Sequence, residues 1–121
     1  MIKIGLADHF DAAHFLRSYE GKCANMHGHC WNVQVSICGE KDEFSGMLLD
    51  FTVLKQILRE ELNKYDHRII NEIAPFDKKN PTAENLAEEI FNNIKIKLPE
   101  NVVIKSVTVW ESPKAWAEYS D

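Results

Sequence analysis

The sequence has little of what defines disulfide-rich, low-complexity or membrane-spanning proteins. Its three cysteines are odd in number and too few for a disulfide framework, which favours reduced thiols and a cytoplasmic location. Five glycines and four prolines in 121 residues form no linker or repeat. No segment reaches the roughly 18 consecutive apolar residues of a membrane helix, and no apolar signal core follows Met1. We therefore expect a protein that is neither exported nor bound to a membrane.

Positive charge is also scarce. Lysine and arginine number 14 against 19 acidic residues, a formal net charge of −5, so we expect no nucleic acid or anionic membrane as a partner. A phosphate group on a substrate must then be bound by a few local cations, for which Arg17, Lys22 and Lys114 are candidates. The length of 121 residues is typical of a single domain with one core, spanning residues 1–121.

Alternating apolar residues predict four β-strands. The first covers residues 2–14, and the second begins at His27 and carries its histidine and apolar side chains at odd numbers, hence on one face. Residues 102–111 and 115–119 predict two further strands, and the turn between them contains Pro113. These last two strands are expected to form a β-hairpin.

Two amphipathic helices are predicted between these strand pairs. Thr52 is expected to cap the first helix, and Thr82 to open a second that ends near Pro99. The first helix has an apolar stripe at Val53, Leu54, Ile57, Leu58, Leu62 and Tyr65. This order predicts an α+β fold, a four-stranded antiparallel sheet with two helices on one face. Its open edges favour pairing with further copies into a closed ring.

Three histidines are the candidate metal ligands. His27 and His29 flank Gly28 and point to the same side of an extended strand, and His14 at the end of the first strand is placed to join them. Three imidazoles leave one zinc position open, which is typical of catalytic zinc. Taken alone, the His-Gly-His pattern is equally compatible with chance.

Cys23 strengthens the case for a reactive site. It lies four residues before His27 and directly after Lys22, and a neighbouring cation and a metal ion both favour a thiolate. Cys23 could instead be a fourth ligand that closes a structural zinc site. Cys30 and Cys38 are interpreted as small core or sheet residues.

Three further residues are candidates for proton transfer or binding. Asp66 and His67 are adjacent, so the carboxylate can orient the imidazole, although such pairs are common at helix ends. Glu111 shares the strand face of Val107 and Val109. A carboxylate on that mostly apolar face needs a polar partner, either a protein cation or a ligand.

Together these motifs resemble the 6-pyruvoyl-tetrahydropterin synthase family over nearly the whole chain. Within that family, the three-residue gap between Cys23 and His27 is similar to the branch that forms a 6-carboxy product. The resemblance is carried by Phe10 to His14, Cys23 to His29, Gly46 to Phe51, Asp66-His67, Asn80 to Asn85, and Glu111.

The resemblance implies a tunnelling fold, in which trimers close their sheets into a barrel and two trimers stack as a homohexamer with active sites between subunits. It also implies a role for each candidate residue. These roles are zinc binding by His14, His27 and His29, general base catalysis by Cys23, a proton relay of Asp66 and His67, pterin anchoring by Glu111, and a place beside the pterin for Thr82.

The implied reaction is a zinc-dependent lyase step of queuosine (7-deazaguanine) biosynthesis. It converts 7,8-dihydroneopterin triphosphate to 6-carboxy-5,6,7,8-tetrahydropterin, acetaldehyde and triphosphate. One alternative is 6-pyruvoyl-tetrahydropterin synthesis by triphosphate elimination, as in tetrahydrobiopterin-type pathways. The dihydroneopterin-cleaving branch usually has Glu in place of the cysteine, so Cys23 counts against it. An alternative of another class is a non-catalytic, zinc-stapled oligomeric binding module.

Overall fold

Five β-strands and two α-helices make up the computed structural model, which describes the whole chain, Met1–Asp121. Single turns of 3-10 helix occur at Lys22–Ala24 and Ile70–Glu72. In chain order the elements are β1 (Ile2–His14), β2 (His27–Gly39), α1 (Phe51–Leu62), β3 (Arg68–Ile69), α2 (Ala83–Lys95), β4 (Val102–Trp110) and β5 (Trp116–Tyr119).

The strands form one sheet in the order β3-β1-β2-β4-β5. Strands β1 and β2 pair antiparallel along their full length, from Ile2 opposite Gly39 to His14 opposite His27. The predicted hairpin of β4 and β5 is present, and the α+β prediction is confirmed. Strand β3, which runs parallel to β1 beside Ala12 and Ala13, was not predicted. Two residues are too short to show an alternating pattern.

One face of the sheet is buried under both helices. Helix α1 packs on β1, and α2 packs on β4 and β5. The odd-numbered positions of β2 form the centre of the core, and burying each such side chain contributes about 1.5–3 kcal/mol. The fully buried residues of β2 are Trp31, Val33, Val35 and Ile37.

The helix boundaries differ slightly from those predicted. Asp50, not Thr52, caps α1, because its carboxylate accepts hydrogen bonds from the backbone N–H (2.8 Å) and the hydroxyl (2.7 Å) of Thr52. Asp is preferred over Thr at this position, so capping preference agrees with Asp50, and the expectation of Thr52 as the cap is wrong. Val53 is 42% exposed and lies outside the apolar stripe. Helix α2 opens at Thr82 as predicted but ends at Lys95, short of Pro99.

Both edges of the sheet are largely open. Strand β3 pairs only with Ala12 and Ala13, so most of β1 has no neighbouring strand on that side. Strand β5 forms the other edge. Closure of these edges into a barrel of several copies stays a prediction. No helix has the length and apolar character needed to cross a membrane.

Candidate metal centre and active site

His14, His27 and His29 converge at one end of the buried sheet face. His14 and His27 are directly opposite in the ladder, and His29 is two residues further along the same face of β2. The ring centroids lie 4.6 Å apart for His14 and His27, 4.7 Å for His27 and His29, and 5.2 Å for His14 and His29. The antiparallel register therefore brings the three imidazoles together.

Two backbone carbonyls fix the orientation of two of these rings. The Nδ1 of His14 donates to Pro81 O, and the Nδ1 of His27 donates to Asn25 O, each at 2.7 Å. In a neutral imidazole the other nitrogen then carries a lone pair. The two Nε2 atoms lie 3.1 Å apart, so two lone pairs face each other. A cation at this point would relieve their repulsion, and the residues therefore fit a metal ion.

Glu111 completes the cluster. It follows β4, and its Oε1 lies 3.2 Å from His29 Nε2. That nitrogen is buried and makes no hydrogen bond with acceptable geometry. The ligand atoms of the three histidines and Glu111 all lie within 4.8 Å of one another. Three imidazole nitrogens are a donor set that zinc accepts with one position left open, and the Glu111 carboxylate lies beside them.

Burial lowers the pKa values of His14 and His29, although the Pro81 carbonyl and the Glu111 carboxylate act in the opposite direction. Both rings are therefore held in the neutral form that binds metals. Trp31 is fully buried beneath them and contacts both rings edge-on, with centroids 4.8 Å from His14 and 5.2 Å from His29. Its indole N–H donates to Ala12 O at 3.2 Å.

Asp66 and His67 form a second, separate cluster beside β1, directly before β3. Asp66 Oδ1 lies 3.1 Å from His67 Nδ1. Asp11 holds both residues, because its N–H donates to Asp66 Oδ1 (3.0 Å) and its carbonyl accepts from the N–H of His67 (2.6 Å). The hydrogen bond from the Asp11 amide lowers the pKa of Asp66. The His67 side chain is 78% exposed and lines an open groove of about 590 Å³ with Ala13 and Arg68.

The family model described as 6-pyruvoyl tetrahydropterin synthase matches residues 3–121. The chain belongs to the 6-pyruvoyl tetrahydropterin synthase family. The predicted resemblance is thereby confirmed, and so is the tunnelling-fold topology of the subunit, which follows a solved member of that family closely. A structure of Caenorhabditis elegans 6-pyruvoyl tetrahydropterin synthase superposes with a TM-score of 0.90 at 32% identity, over 99% of this chain and 95% of that one.

Relatives in the 6-pyruvoyl tetrahydropterin synthase family have more than one named activity. The 6-carboxy-5,6,7,8-tetrahydropterin synthase of Haemophilus influenzae is 34% identical, and the match covers 100% of both chains. The dihydroneopterin monophosphate aldolase of Pyrococcus furiosus is 35% identical over 84% of this chain and 82% of its own. Overall identity therefore does not distinguish between the reactions.

Cys23, the residue implied as base in this family, lies in the 3-10 turn Lys22–Ala24 as a half-buried free thiol. It is outside the cluster of mutually close ligand atoms, where Glu111 is the fourth member. Of the other two cysteines, Cys38 is buried and Cys30 is exposed on the sheet. Cys30 is therefore a sheet residue and not a core residue.

Thr82 and Arg17 both have structural roles within this chain. The Thr82 side chain caps α2 by accepting from Asn85 N at 3.1 Å. The Arg17 guanidinium donates to the carbonyls of Asn71, Phe76 and Lys79, so Arg17 is not the free phosphate ligand suggested by the sequence. Lys22 and Lys114 are exposed.

Sequence reasoning missed Pro81, Asn25 and the position of Trp31 under the rings. The first two act through backbone carbonyls, which every residue has, so no residue type marks them. The polar partner predicted for Glu111 is His29, and a sequence pattern gives no means of choosing it.

Proposed function

We propose that this chain is a zinc-dependent lyase of queuosine biosynthesis. It converts 7,8-dihydroneopterin triphosphate to 6-carboxy-5,6,7,8-tetrahydropterin, acetaldehyde and triphosphate. The observation that carries the proposal is the convergence of His14, His27 and His29 in a member of this family whose Cys23 precedes His27 by a three-residue gap. Named 6-carboxy-5,6,7,8-tetrahydropterin synthases among the relatives support the same reaction.

The three histidines hold the zinc ion through their Nε2 atoms. When bound, zinc polarises the side-chain hydroxyls of the pterin and makes their protons easier to remove. Pro81 and Asn25 keep His14 and His27 in the tautomer that leaves Nε2 available. Trp31 excludes water from the buried side of the site, because its ring packs against His14 and His29.

Glu111 anchors the pterin ring. Its two carboxylate oxygens match the adjacent amino and ring N–H donors of a pterin, and such charge-assisted pairs fix orientation as well as affinity. In the free protein the same carboxylate lies against His29 Nε2. The two groups make no well-formed hydrogen bond, so Glu111 is free to accept from the substrate. The proposal also places Thr82, the residue after Pro81, beside the pterin.

Cys23 is the general base in this proposal, and Asp66 with His67 forms the proton relay. The ionised carboxylate of Asp66 orients Nδ1 of His67, which leaves the other ring nitrogen to exchange a proton with the substrate. Proton transfers at the pterin side chain isomerise it, so that the ring is reduced as the side chain is oxidised, and triphosphate leaves by elimination. A water molecule then adds to the side-chain carbonyl next to the ring and supplies the second carboxylate oxygen, and cleavage of the carbon–carbon bond releases the remaining two carbons as acetaldehyde. No redox cofactor is required.

A second copy of the chain completes each site. The Asp66–His67 pair and the histidine cluster are separate groups within one subunit. The pair lies just before β3, which covers only Ala12 and Ala13, and it therefore borders the uncovered part of β1 where another sheet can dock. We therefore propose a cytoplasmic homohexamer, a dimer of trimers, in which one subunit supplies the histidines and a neighbour supplies the relay.

The second candidate is 6-pyruvoyl-tetrahydropterin synthesis, which uses the same substrate and eliminates triphosphate without losing acetaldehyde. It is favoured by the close structural similarity to the C. elegans enzyme. The residues discussed above serve both reactions equally well, since the two differ in which bonds of the side chain break.

Product analysis tests the proposal directly. The purified protein is incubated with 7,8-dihydroneopterin triphosphate, with and without a zinc chelator, and the pterin is identified by mass spectrometry. A chelator-sensitive 6-carboxy product with acetaldehyde is the expected result. A 6-pyruvoyl product would establish the second candidate instead, and absence of turnover by the zinc-loaded protein would contradict both and favour a zinc-stapled binding module.

A further inference from the structure

The segment from the 3-10 turn at Ile70–Glu72 to helix α2 forms no β-ladder, and Arg17 supplies hydrogen-bond donors for three of its carbonyls. The Arg17 guanidinium donates to Phe76 O at 2.8 Å, Lys79 O at 3.2 Å and Asn71 O at 3.3 Å. Its guanidinium group lies over the Phe15 ring, with the guanidinium carbon 5.5 Å from the ring centroid. Three carbonyls that lack helix or sheet partners are thereby satisfied by one side chain.

Asn80 ties the end of this segment to the chain that follows β1. Its Oδ1 accepts from the N–H of Arg17 at 2.8 Å, and its Nδ2 donates to the carbonyl of Arg17 at 3.1 Å. The carbonyl of Asn80 accepts from the Asn85 side chain at 2.8 Å. Both the side chain and the peptide of Asn80 are therefore held in place. We call Arg17 and Asn80 the loop clamp.

The next residue, Pro81, is buried, and its carbonyl accepts from His14 Nδ1 at 2.7 Å. Proline fixes its own φ angle, and Thr82 immediately after it caps α2. The direction of the Pro81 carbonyl is thus set by the clamped peptide before it and the helix start after it. His14 is 2% exposed, so no water replaces this acceptor easily.

We propose that Arg17 and Asn80 are positioning residues for the metal ligand His14. The loop clamp aims the Pro81 carbonyl at Nδ1 of His14, which selects the tautomer protonated at Nδ1 and presents the Nε2 lone pair to the metal. This inference rests on the metal site proposed above and not on the reaction. It also accounts for Arg17 being bound to three carbonyls and not turned outward toward a triphosphate.

The test compares two asparagine variants of the full-length protein. Asn80→Ala breaks the clamp, whereas Asn93→Ala serves as the matched control. Asn93 also makes two side-chain hydrogen bonds, to Glu61 and Glu89 within the helix pair, but contacts neither the loop nor the histidines. Zinc affinity is measured by competition with a chromophoric chelator at neutral pH. Urea unfolding of the metal-free proteins shows how far each variant is destabilised.

We expect Asn80→Ala to weaken zinc binding about 10- to 100-fold, as found for outer-shell partners of metal ligands, and Asn93→Ala to leave it unchanged. In ¹⁵N spectra of the metal-free protein, His14 of the wild type should be protonated at Nδ1. Asn80→Ala should give a mixture of tautomers, a change that general destabilisation does not produce. Asn80→Asp, which keeps the acceptor for Arg17 N and loses the donor, should lie between wild type and Asn80→Ala.

Unchanged zinc affinity and an unchanged His14 tautomer in Asn80→Ala would overturn the inference while leaving the metal site intact. Equal weakening by Asn93→Ala at matched stability would overturn it as well, because the effect would then be one of stability alone. A wild-type protein that binds no zinc would refute the metal site itself. If Asn80→Ala does not fold, Arg17→Lys carries the same test, since lysine keeps the charge and loses the planar fork that reaches three carbonyls.

Discussion

The Nε2 atoms of His14 and His27 lie 3.1 Å apart, although each ring already uses its Nδ1 on a backbone carbonyl. Two neutral imidazoles in this arrangement have no proton to share between them. The contact is therefore unfavourable in the metal-free chain and favourable when a cation lies beside both nitrogens. This pair connects the local strand geometry to the proposed zinc chemistry.

Zinc content should depend on His27 and not on Cys23. His27→Ala removes a ligand and should lose bound zinc, whereas Cys23→Ala should keep zinc while losing turnover. Metal analysis and product formation on the same samples check both. His9→Ala is the matched histidine control, since His9 is exposed and its imidazole pairs only with the neighbouring Asp8. Loss of both zinc and folding in Cys23→Ala would instead identify a structural zinc with a cysteine ligand.

Acid should destabilise the metal-free protein through His14. Burial lowers the pKa of His14 below the ordinary 6.5, so as the pH falls through 6.5 the unfolded chain takes up a proton that the folded chain resists. The free energy of unfolding should therefore be highest above this pH. Below it, the free energy of unfolding should decrease by up to about 1.4 kcal/mol per pH unit for one such group. Urea unfolding at several pH values measures the slope.

A His14→Gln variant is the control for this pH dependence. It removes the titrating ring, so its stability should fall less steeply on acidification. Identical slopes for wild type and His14→Gln would show that burial of His14 does not govern the acid response.

The relay should be separable from the metal site. Asp66→Asn removes the charge that orients His67 and should lower turnover by about 10²- to 10⁴-fold with zinc content unchanged, because Asp66 lies outside the histidine cluster. Asp77→Asn serves as the control, since Asp77 is exposed. Turnover near the wild-type value in Asp66→Asn would remove the pair from the mechanism.

Assembly should depend on the outward edge of β1. The backbone groups of His9 and Asp11 point away from β2, because they bond to side chains or backbone outside the sheet, namely Arg59, Asp66 and His67. Backbone direction alternates along a strand with a period of two residues, so the N–H and C=O of Ala7 also point away from β2. Ala7→Pro removes one outward N–H without breaking the ladder to β2. Light scattering should show a hexamer for wild type and smaller species for Ala7→Pro.

Turnover of Ala7→Pro should fall together with its assembly, since the relay then no longer meets a neighbour's histidines. Ala7→Ser, which retains the N–H, should remain hexameric and active. A fully active monomer would contradict the shared-site proposal.

Most of the fold was predicted from the spacing of apolar residues, which repeat every two residues in the strands and every three to four residues in the helices. Residues 2–14 are one strand, as expected, and the odd positions from His27 to Ile37 share the face on which Trp31 and Val33 are fully buried. Strand β3 could not be predicted, because two residues are too few to show an alternating pattern. Asp50 could have been predicted as the helix cap, because Asp is preferred over Thr at that position.

The sequence by itself determined which face of each strand the histidines occupy, because side-chain direction in a strand follows from residue parity. The motifs from Phe10 to Glu111 together also indicated the family, which the match over residues 3–121 confirms. Tertiary structure alone decided which groups surround the histidines. Glu111 reaches His29, Pro81 reaches His14, and Asp66–His67 lies at a separate edge. These contacts join residues far apart in the chain, so they depend on strand register and helix packing, which no local pattern encodes.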